Sequence, residues 1–271
     1  VLVPVDPSGI RDFITGINPT VPDAPFCLAC LPELFHTNYS ALSSHDMTFE
    51  SHLLPVISEL VRRHPDMVVA GSLAAERRGH MTNSLTIFQG DNALPLYDKL
   101  HLFRPMNEYK YISPGDHLGV LEIQSGRESW RVGFAICYDL RFPELFRLLA
   151  LAGCDLVVVV AQWPAVRINI WKALLQARAA ENKIYLAGVN RCGFDQEEKF
   201  GGCSMIIAPD GSVLAEAADE PQLLQAVLDK NEIGRSRRLF NSFQDRREGA
   251  YRLTSELPVQ SVTVRHSHKS K

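Results

Sequence analysis

Cys137 is the residue of this sequence best placed to act as a nucleophile. It follows a largely apolar run, residues 131–136, whose β-branched residues predict a buried strand. Pro143 stands where a first helical turn would begin, and apolar residues continue at helical spacing up to Gly153. A cysteine between a strand and a helix lies at the sheet edge, where the backbone N–H groups that follow can bind a carbonyl oxygen. The competing interpretation is a buried structural thiol, because free cysteine is among the most buried residue types.

Two charged residues occupy the same kind of position. Glu33 follows a predicted strand at residues 26–31, and Lys99 follows another at residues 94–98. Catalytic groups collect at strand ends in α/β sheets, and buried charges of opposite sign offset part of each other's desolvation. One pocket shared by these two side chains and Cys137 is therefore a hypothesis. Position alone leaves open a second interpretation, in which both are loop charges that face water.

The elements that would position these side chains alternate between helices and short strands. Helices are predicted at residues 49–64, 143–152, 171–182 and from about 230, and a short one at 7–17. Strands are predicted at residues 1–5, 26–31, 67–76, 83–90, 93–100, 118–124, 130–136, 155–161, 183–190, 203–209, 213–217 and 223–229. Between them, the polar and aromatic loop 101–117 is long enough to indicate a function of its own. This pattern favours mixed sheets covered by helices over a purely parallel sheet.

Composition limits the classes of partner. Of the 271 residues, 46% are hydrophobic and 22% are charged, and the net charge is −3. This charge balance does not indicate nucleic acid or a membrane surface as the main partner. Apolar runs are too short to span a bilayer, and no secretory signal pattern is visible, so we expect a cytoplasmic protein with reduced thiols. Cys27 and Cys30 form a CxxC, but they lie on a predicted strand without a second ligand pair, so we expect core residues and no metal.

Three motifs around the residues discussed above resemble the nitrilase, or carbon–nitrogen hydrolase, superfamily. They are LPELF at 31–35, YDKLHLF at 97–103 and ICYDLRFPE at 136–144. Further resemblance lies in Asn107-Glu108, in residues 177–193, in GGCSMIIAPDG at 201–211 and in QDRREGAY at 244–251. Together with QWPAVR at 162–167, the motif after Cys137 is similar to the ω-amidase-type branch. The N-terminus departs from the family pattern, since residues 1–25 are short and poorly patterned for its opening strand and helix.

The resemblance implies a fold and an assembly. The fold would be a four-layer α-β-β-α sandwich of the α/β class with mixed sheets, formed by a single domain over residues 1–255. Residues 256–271 would be a C-terminal tail that is mobile or docked on a partner subunit. Members commonly dimerise through the helix after the catalytic cysteine, here about residues 143–153, so we expect a homodimer.

The resemblance also implies roles for individual residues. Cys137 would attack an amide carbonyl and form a thioester, with Glu33 as general base. Lys99 and the backbone N–H of Tyr138 would hold the oxyanion of the tetrahedral intermediate. Glu108 matches the second glutamate of the family, which helps to position Lys99 and the substrate. No metal or cofactor is required.

Specificity is predicted less sharply. Trp163 is expected to wall the substrate pocket, and a substrate carboxylate would be bound by Arg104, Arg141 or Arg167, among which the sequence does not choose. His101 is expected to be a hydrogen-bonded histidine and not a catalytic base.

The expected substrate is a small amide, first an α-keto acid ω-amide such as α-ketoglutaramate. An N-carbamoyl amine hydrolase, a nitrilase or a catalytically silent scaffold with the same fold are the alternatives. A papain-like setting is absent from the sequence, as are GxGxxG, GxxxxGK[ST], GxSxG and HExxH.

Overall fold

The computed structural model describes residues 26–37, 53–125, 128–247, 249–251 and 253–266. The α-helices of these residues are α1 Leu54–Arg63, α2 Pro143–Leu151, α3 Ile168–Asn182 and α4 Lys230–Leu239. The strands are β1 Cys27–Cys30, β2 Met67–Arg77, β3 His80–Gln89, β4 Asn92–Asp98, β5 Leu118–Ser125, β6 Glu128–Ile136, β7 Leu156–Ala161, β8 Tyr185–Asn190, β9 Cys192–Asp195, β10 Glu198–Gly201, β11 Met205–Ile207, β12 Val213–Glu216 and β13 Val259–His266.

The strands form two main sheets and one hairpin. The small sheet has the order β1-β2-β3-β4, and the large sheet has the order β12-β11-β8-β7-β6-β5-β13. Both sheets are mixed. In the small sheet, β1 pairs with β2 in parallel, whereas β3 pairs antiparallel with β2 and β4. In the large sheet, β7 pairs with β6 and β8 in parallel, whereas β5 pairs antiparallel with β6 and β11 with β8. The strand β7 is buried along its whole length, as expected of a parallel strand covered on both faces. The hairpin consists of β9 and β10.

The two sheets pack face to face, and helices cover their outer faces. The inner cluster joins apolar side chains of both sheets, among them Leu28, Val68, Leu85, Leu96, Leu121, Val132, Val158 and Ala187. On the outer face of the small sheet, Ile57 and Leu60 of α1 pack against Val69. On the outer face of the large sheet, α2 and α3 contribute buried residues such as Phe146 and Trp171. The predicted α-β-β-α sandwich is therefore confirmed.

Several predicted elements differ from the structure at their ends. Helix α1 begins at Leu54 and not at residue 49, because Pro55 fits only the first turn of a helix. Residues 38–52, with the first part of that prediction, lie outside the described residues, as do the predicted strand 1–5, the short helix 7–17 and residues 267–271. Helix α3 begins at Ile168, three residues before the predicted start. Among the described residues, no helix is long and apolar enough to cross a membrane.

The strand predicted at residues 223–229 is wrong, since this segment has no regular secondary structure. Its apolar residues are explained by packing alone. Leu224 and Leu228 pack against Ile206 and Ala217, while Val227 is exposed. A short apolar run can thus be buried on one side without pairing with a neighbouring strand.

The prediction of a tail over residues 256–271 is corrected for residues 259–266, which form β13. This strand pairs in parallel with β5 along its whole length, and its Val264 is fully buried between the sheets. Val262 and Val264 are two positions apart in this segment, and both side chains point inward. The end of the described chain is thus the last strand of the large sheet.

Candidate active site

The backbone at Cys137 has an unusual conformation. Strand β6 ends at Ile136, and a 3₁₀ turn, Cys137–Arg141, follows at once. Cys137 opens it with φ of +47°, a left-handed conformation that costs a non-glycine residue roughly 1–2 kcal/mol. The carboxylate of Asp139 stabilises the turn by accepting a hydrogen bond from the backbone N–H of Ile136 at 2.9 Å. The strained turn presents the thiol at the end of the strand, as the sequence predicted for a nucleophile.

Lys99 lies between two buried carboxylates. Its Nζ is 2.9 Å from Oε1 of Glu33 and 2.9 Å from Oε1 of Glu108, and all three side chains are fully buried. Glu108 also reaches Lys99 with its second oxygen at 3.0 Å and accepts the backbone N–H of Phe103 at 2.5 Å. A buried ammonium needs such partners, because an unpaired charge in this position would be strongly destabilising.

Glu33 is held by donors from both sheets. Its Oε1 accepts the side-chain amide of Asn83 at 2.9 Å, and its Oε2 accepts the backbone N–H of Gln162 at 2.9 Å. The charge of Glu33 and a side-chain hydrogen bond to it both raise the pKa of the Cys137 thiol, so this carboxylate lies beside the thiol. The predicted triad residues Glu33, Lys99 and Cys137 therefore lie side by side, with Glu108 next to Lys99.

The environment keeps Cys137 protonated. Burial raises the pKa of its thiol well above the ordinary value of 9.0, and the negative charge of Glu33 raises this pKa further, while Lys99 opposes the shift. The resting side chain is thus a thiol and not a thiolate at neutral pH. A base must remove the proton when the sulfur attacks, and the neighbouring carboxylate of Glu33 is in position to do so.

A cavity of about 740 Å³ opens above Cys137. Its wall includes the predicted residues Tyr138, Trp163, Arg141, Arg167 and Glu108. The guanidinium of Arg141 lies 5.0 Å from the ring centroid of Trp163 and 6.0 Å from that of Tyr138, within cation–π distance. Arg104 is exposed on a separate 3₁₀ turn and does not line this cavity. Of the three arginines considered for a substrate carboxylate, two thus face the cavity.

One wall of the cavity was not predicted by any sequence pattern. The hairpin of β9 and β10 contributes the polar residues Asp195, Gln196, Glu197 and Glu198, together with Phe200. Its turn contains Gln196 with φ of +52°, whereas the residues that mark tight hairpins are glycine, asparagine and aspartate. The partners Asn83 and Gln162 were not predicted either, because each is far in sequence from Glu33, which it binds. Asp139 is close in sequence to the turn that it holds, but no pattern indicated this role. An asparagine or glutamine at a strand end is the signal that could have identified the first two.

His101 supports the turn that carries Cys137. Its ring Nδ1 lies 2.7 Å from Oδ1 of Asp139, which also accepts the backbone N–H of His101 at 2.9 Å. The imidazole stacks on Phe142 with a centroid distance of 3.6 Å. Its contacts therefore hold Asp139 and the turn.

The cysteines at Cys27 and Cys30 belong to β1, away from this cavity. All six cysteines are free thiols, and burial raises the pKa of Cys30 to about 12. Metal binding by cysteine requires the thiolate, which this burial strongly disfavours.

Sequence comparison decides the family. The profile described as carbon–nitrogen hydrolase matches residues 17–238. The chain belongs to the carbon–nitrogen hydrolase family. This confirms the resemblance stated from the motifs, and it makes the protein a hydrolase of amide carbon–nitrogen bonds in the nitrilase superfamily.

Two relatives of this carbon–nitrogen hydrolase place it in the ω-amidase-like branch. A Bacillus subtilis protein named 2-oxoglutaramate amidase is 33% identical over 224 residues, which cover 82% of this chain and 85% of the relative. Omega-amidase YafV of Escherichia coli is 31% identical over 217 residues, with coverage of 79% and 82%. The crystal structure of a carbon–nitrogen hydrolase superfamily protein from Xanthomonas campestris superposes with a TM-score of 0.74 at 28% identity, covering 89% of this chain and 92% of the other.

Proposed function

We propose that this enzyme hydrolyses small ω-amides of α-keto acids, such as α-ketoglutaramate, through a thioester on Cys137. The observation that carries the proposal is the buried ion pair of Glu33 and Lys99 beside Cys137, a residue that lines a cavity together with Arg141. The names of the two curated relatives, an oxoglutaramate amidase and an omega-amidase, support this choice of substrate.

The first half of the reaction forms the thioester. Glu33 takes the proton of the Cys137 thiol while the sulfur attacks the amide carbonyl carbon, and the carbonyl oxygen becomes an oxyanion. Lys99 and the backbone N–H of Tyr138 stabilise that negative charge. Protonated Glu33 then returns its proton to the nitrogen as the carbon–nitrogen bond breaks, which releases ammonia and leaves the acyl group on sulfur.

The second half of the reaction restores the enzyme. Glu33 takes a proton from a water molecule, whose oxygen attacks the thioester carbonyl carbon. The carbon–sulfur bond then breaks, and Glu33 returns the proton to the sulfur of Cys137. The overall reaction is amide plus water giving acid plus ammonia, with the thiol and carboxylate unchanged.

Glu108 and Arg141 would support these steps from two sides. Glu108 binds Lys99 with both oxygens and also holds the backbone of Phe103, so it fixes the ammonium and the loop beside it. Arg141 lies against Trp163 and Tyr138 in the cavity wall. A guanidinium held in this way is suited to a carboxylate, which it can bind through two parallel hydrogen bonds. Arg167 is the second cation of the cavity wall.

The test is ammonia release from a panel of α-ketoglutaramate, α-ketosuccinamate, an N-carbamoyl amine and a simple nitrile. We expect release from the two keto-amides by wild type and by Cys203→Ala, a cysteine outside the cavity, and none by Cys137→Ala. Arg141→Gln should raise KM for α-ketoglutaramate by about 10-fold or more, whereas the exposed Arg104→Gln should not. Release by Cys137→Ala would refute the thioester, and turnover of only the carbamoyl amine or the nitrile would refute the substrate class.

A further inference from the structure

Gln162 has more contacts with the catalytic residues than its place at the end of β7 requires. Its side chain is buried, and its backbone N–H and side-chain Nε2 donate to Glu33 Oε2 and to the Glu33 carbonyl oxygen, each at 2.9 Å. Its own carbonyl oxygen lies 3.9 Å from Sγ of Cys137. Gln162 thus contacts both the carboxylate and the main chain of Glu33, and it also contacts the thiol of Cys137.

The contact with the main chain of Glu33 has a specific effect. Leu34, the next residue, has φ of +45°, a conformation that leucine adopts only when its surroundings impose it. The backbone N–H of Leu34 donates to Ser72 Oγ at 2.9 Å, and Nε2 of Gln162 donates to the Glu33 carbonyl oxygen of the same peptide group. These two bonds hold the strained turn, which sets the direction in which the Glu33 side chain leaves the backbone.

Arg191 determines how the amide of Gln162 is oriented. Its Nη1 donates to Gln162 Oε1 at 3.0 Å, and because a guanidinium has donors only, the amide oxygen must face it. The amide nitrogen must then face the carbonyl of Glu33. Arg191 is itself buried, donates through Nη2 to the carbonyl of Phe194 at 3.0 Å, and lies 4.7 Å from the ring centroid of Phe200.

These contacts form a continuous connection from the hairpin wall to the general base. Phe194 and Phe200 belong to β9 and β10, and Phe200 lines the cavity. We infer that Gln162 is a positioning residue that aims the carboxylate of Glu33 at Cys137, and that Arg191 ties this alignment to the hairpin that walls the substrate cavity. The inference rests on the proposed role of Glu33 as base.

The first test compares Gln162→Met, Arg191→Met and Arg147→Met in amide turnover. Arg147 is the matched control, because it also donates to a backbone carbonyl at 3.0 Å, that of Glu181, and lies 4.9 Å from a phenylalanine ring, that of Phe243. We expect Gln162→Met to lower kcat by about 10–100-fold with KM unchanged, the size of effect that a small misplacement of a reacting group produces. Arg191→Met should lower kcat in the same way but less, and Arg147→Met should leave it unchanged.

A second variant guards against simple misfolding. Gln162→Glu keeps the shape of the side chain and its bond to Arg191, but replaces the donor that faces Glu33 with an acceptor. It should fold as wild type does and still lose kcat. Wild-type kcat in Gln162→Met or Gln162→Glu, or an equal loss in Arg147→Met, would overturn the inference.

Labelling of Cys137 by iodoacetamide separates this inference from the proposed function, because it needs no amide turnover. Removal of the charge in Glu33→Gln should speed labelling at pH 8, and Gln162→Met should do so to a smaller extent if Glu33 moves away from the thiol. Faster labelling in Glu33→Gln but not in Gln162→Met would overturn the positioning role alone. Normal amide turnover in Glu33→Gln would instead overturn the proposed function.

Discussion

The hydroxyl of Tyr97 donates a hydrogen bond to Oδ2 of Asp139 across 2.6 Å. This bond joins the two sheets, because Tyr97 belongs to β4 and Asp139 to the turn that follows β6. Burial and the charge of Asp139 raise the pKa of Tyr97 well above its ordinary value, so the hydroxyl remains a donor. The strand that ends beside Lys99 is thereby fixed to the turn that begins with Cys137.

Tyr97→Phe should therefore weaken both the fold and the reaction. It leaves a buried carboxylate with one donor fewer, which costs about 1–3 kcal/mol in the free energy of unfolding. Urea unfolding and amide turnover measure the two effects. Tyr109→Phe is the matched control, since Tyr109 is 53% exposed. Equal stability of the two variants would show that the bond between the sheets contributes nothing.

Glu33→Gln should change amide turnover and thiol reactivity in opposite directions. Turnover should fall by about 10²–10⁴-fold, because the proposed general base is lost. Cys137 becomes easier to alkylate at pH 8, because the negative charge of Glu33 is one of the causes that raise its pKa, and a neutral amide removes it. Peptide mapping of iodoacetamide adducts gives the rate at Cys137 alone. Glu197→Gln, on the hairpin, controls for loss of a carboxylate from the cavity wall, and slower alkylation in Glu33→Gln would contradict the role given to that charge.

Acidification should destabilise the fold through His36. Burial lowers the pKa of His36 in the folded state to about 4 from 6.5, so the unfolded chain binds more protons between these two values. The free energy of unfolding therefore falls as the pH drops from 6.5 to 4, by roughly 3 kcal/mol from this group. The contribution is fully present above pH 6.5.

Urea midpoints between pH 7 and pH 4 measure this loss for wild type and His36→Gln. The slope of stability against pH should be smaller in His36→Gln than in wild type. His80→Gln, at an exposed position of β3, should retain the wild-type slope. An unchanged slope in His36→Gln would show that other groups cause the acid sensitivity.

Two glycine-to-alanine substitutions should shift stability in opposite directions. A Cβ at Gly188 of β8 would lie 2.4 Å from Leu175 and 2.7 Å from Trp171, so Gly188→Ala should cost about 1–3 kcal/mol through overpacking. A Cβ at Gly234 of α4 meets only the guanidinium of Arg238 at 3.4 Å, so Gly234→Ala should gain roughly 0.5–1 kcal/mol in helix propensity. Urea unfolding measures both changes. A stable Gly188→Ala variant would mean that α3 packs on β8 more loosely than described.

Sequence patterns predicted the elements whose burial can be recognised from consecutive residues. Strand β7 is an uninterrupted apolar run because both its faces are covered, and Pro143 marks the first turn of α2. The segment 223–229 misled the same reasoning, since its apolar residues pack without a neighbouring strand. Strand β13 was missed because its polar outward residues and basic end obscured the valines that face the core.

The residues of the site also fall into those that could be predicted from the sequence and those that could not. Cys137, Glu33 and Lys99 each follow a strand, so position and motif together were enough to single them out. The residues that orient these three side chains could not be predicted from position or motif. Gln162 is 129 positions from Glu33, and Asn83 is 50 positions from it, so no local spacing connects them. Only the fold reveals which amide faces which carboxylate.

Strand β5 must wait for its partner during synthesis, because β13, which pairs with it in parallel, is translated much later. Thr263 on β13 and Glu122 on β5 are 141 positions apart. At about 5–20 residues per second, a ribosome needs on the order of 10 s to translate that interval. During this interval β5 has been synthesised, but β13, which covers its outer edge, has not. An uncovered strand edge can pair with other chains. The nascent protein therefore carries this open edge until β13 has been made.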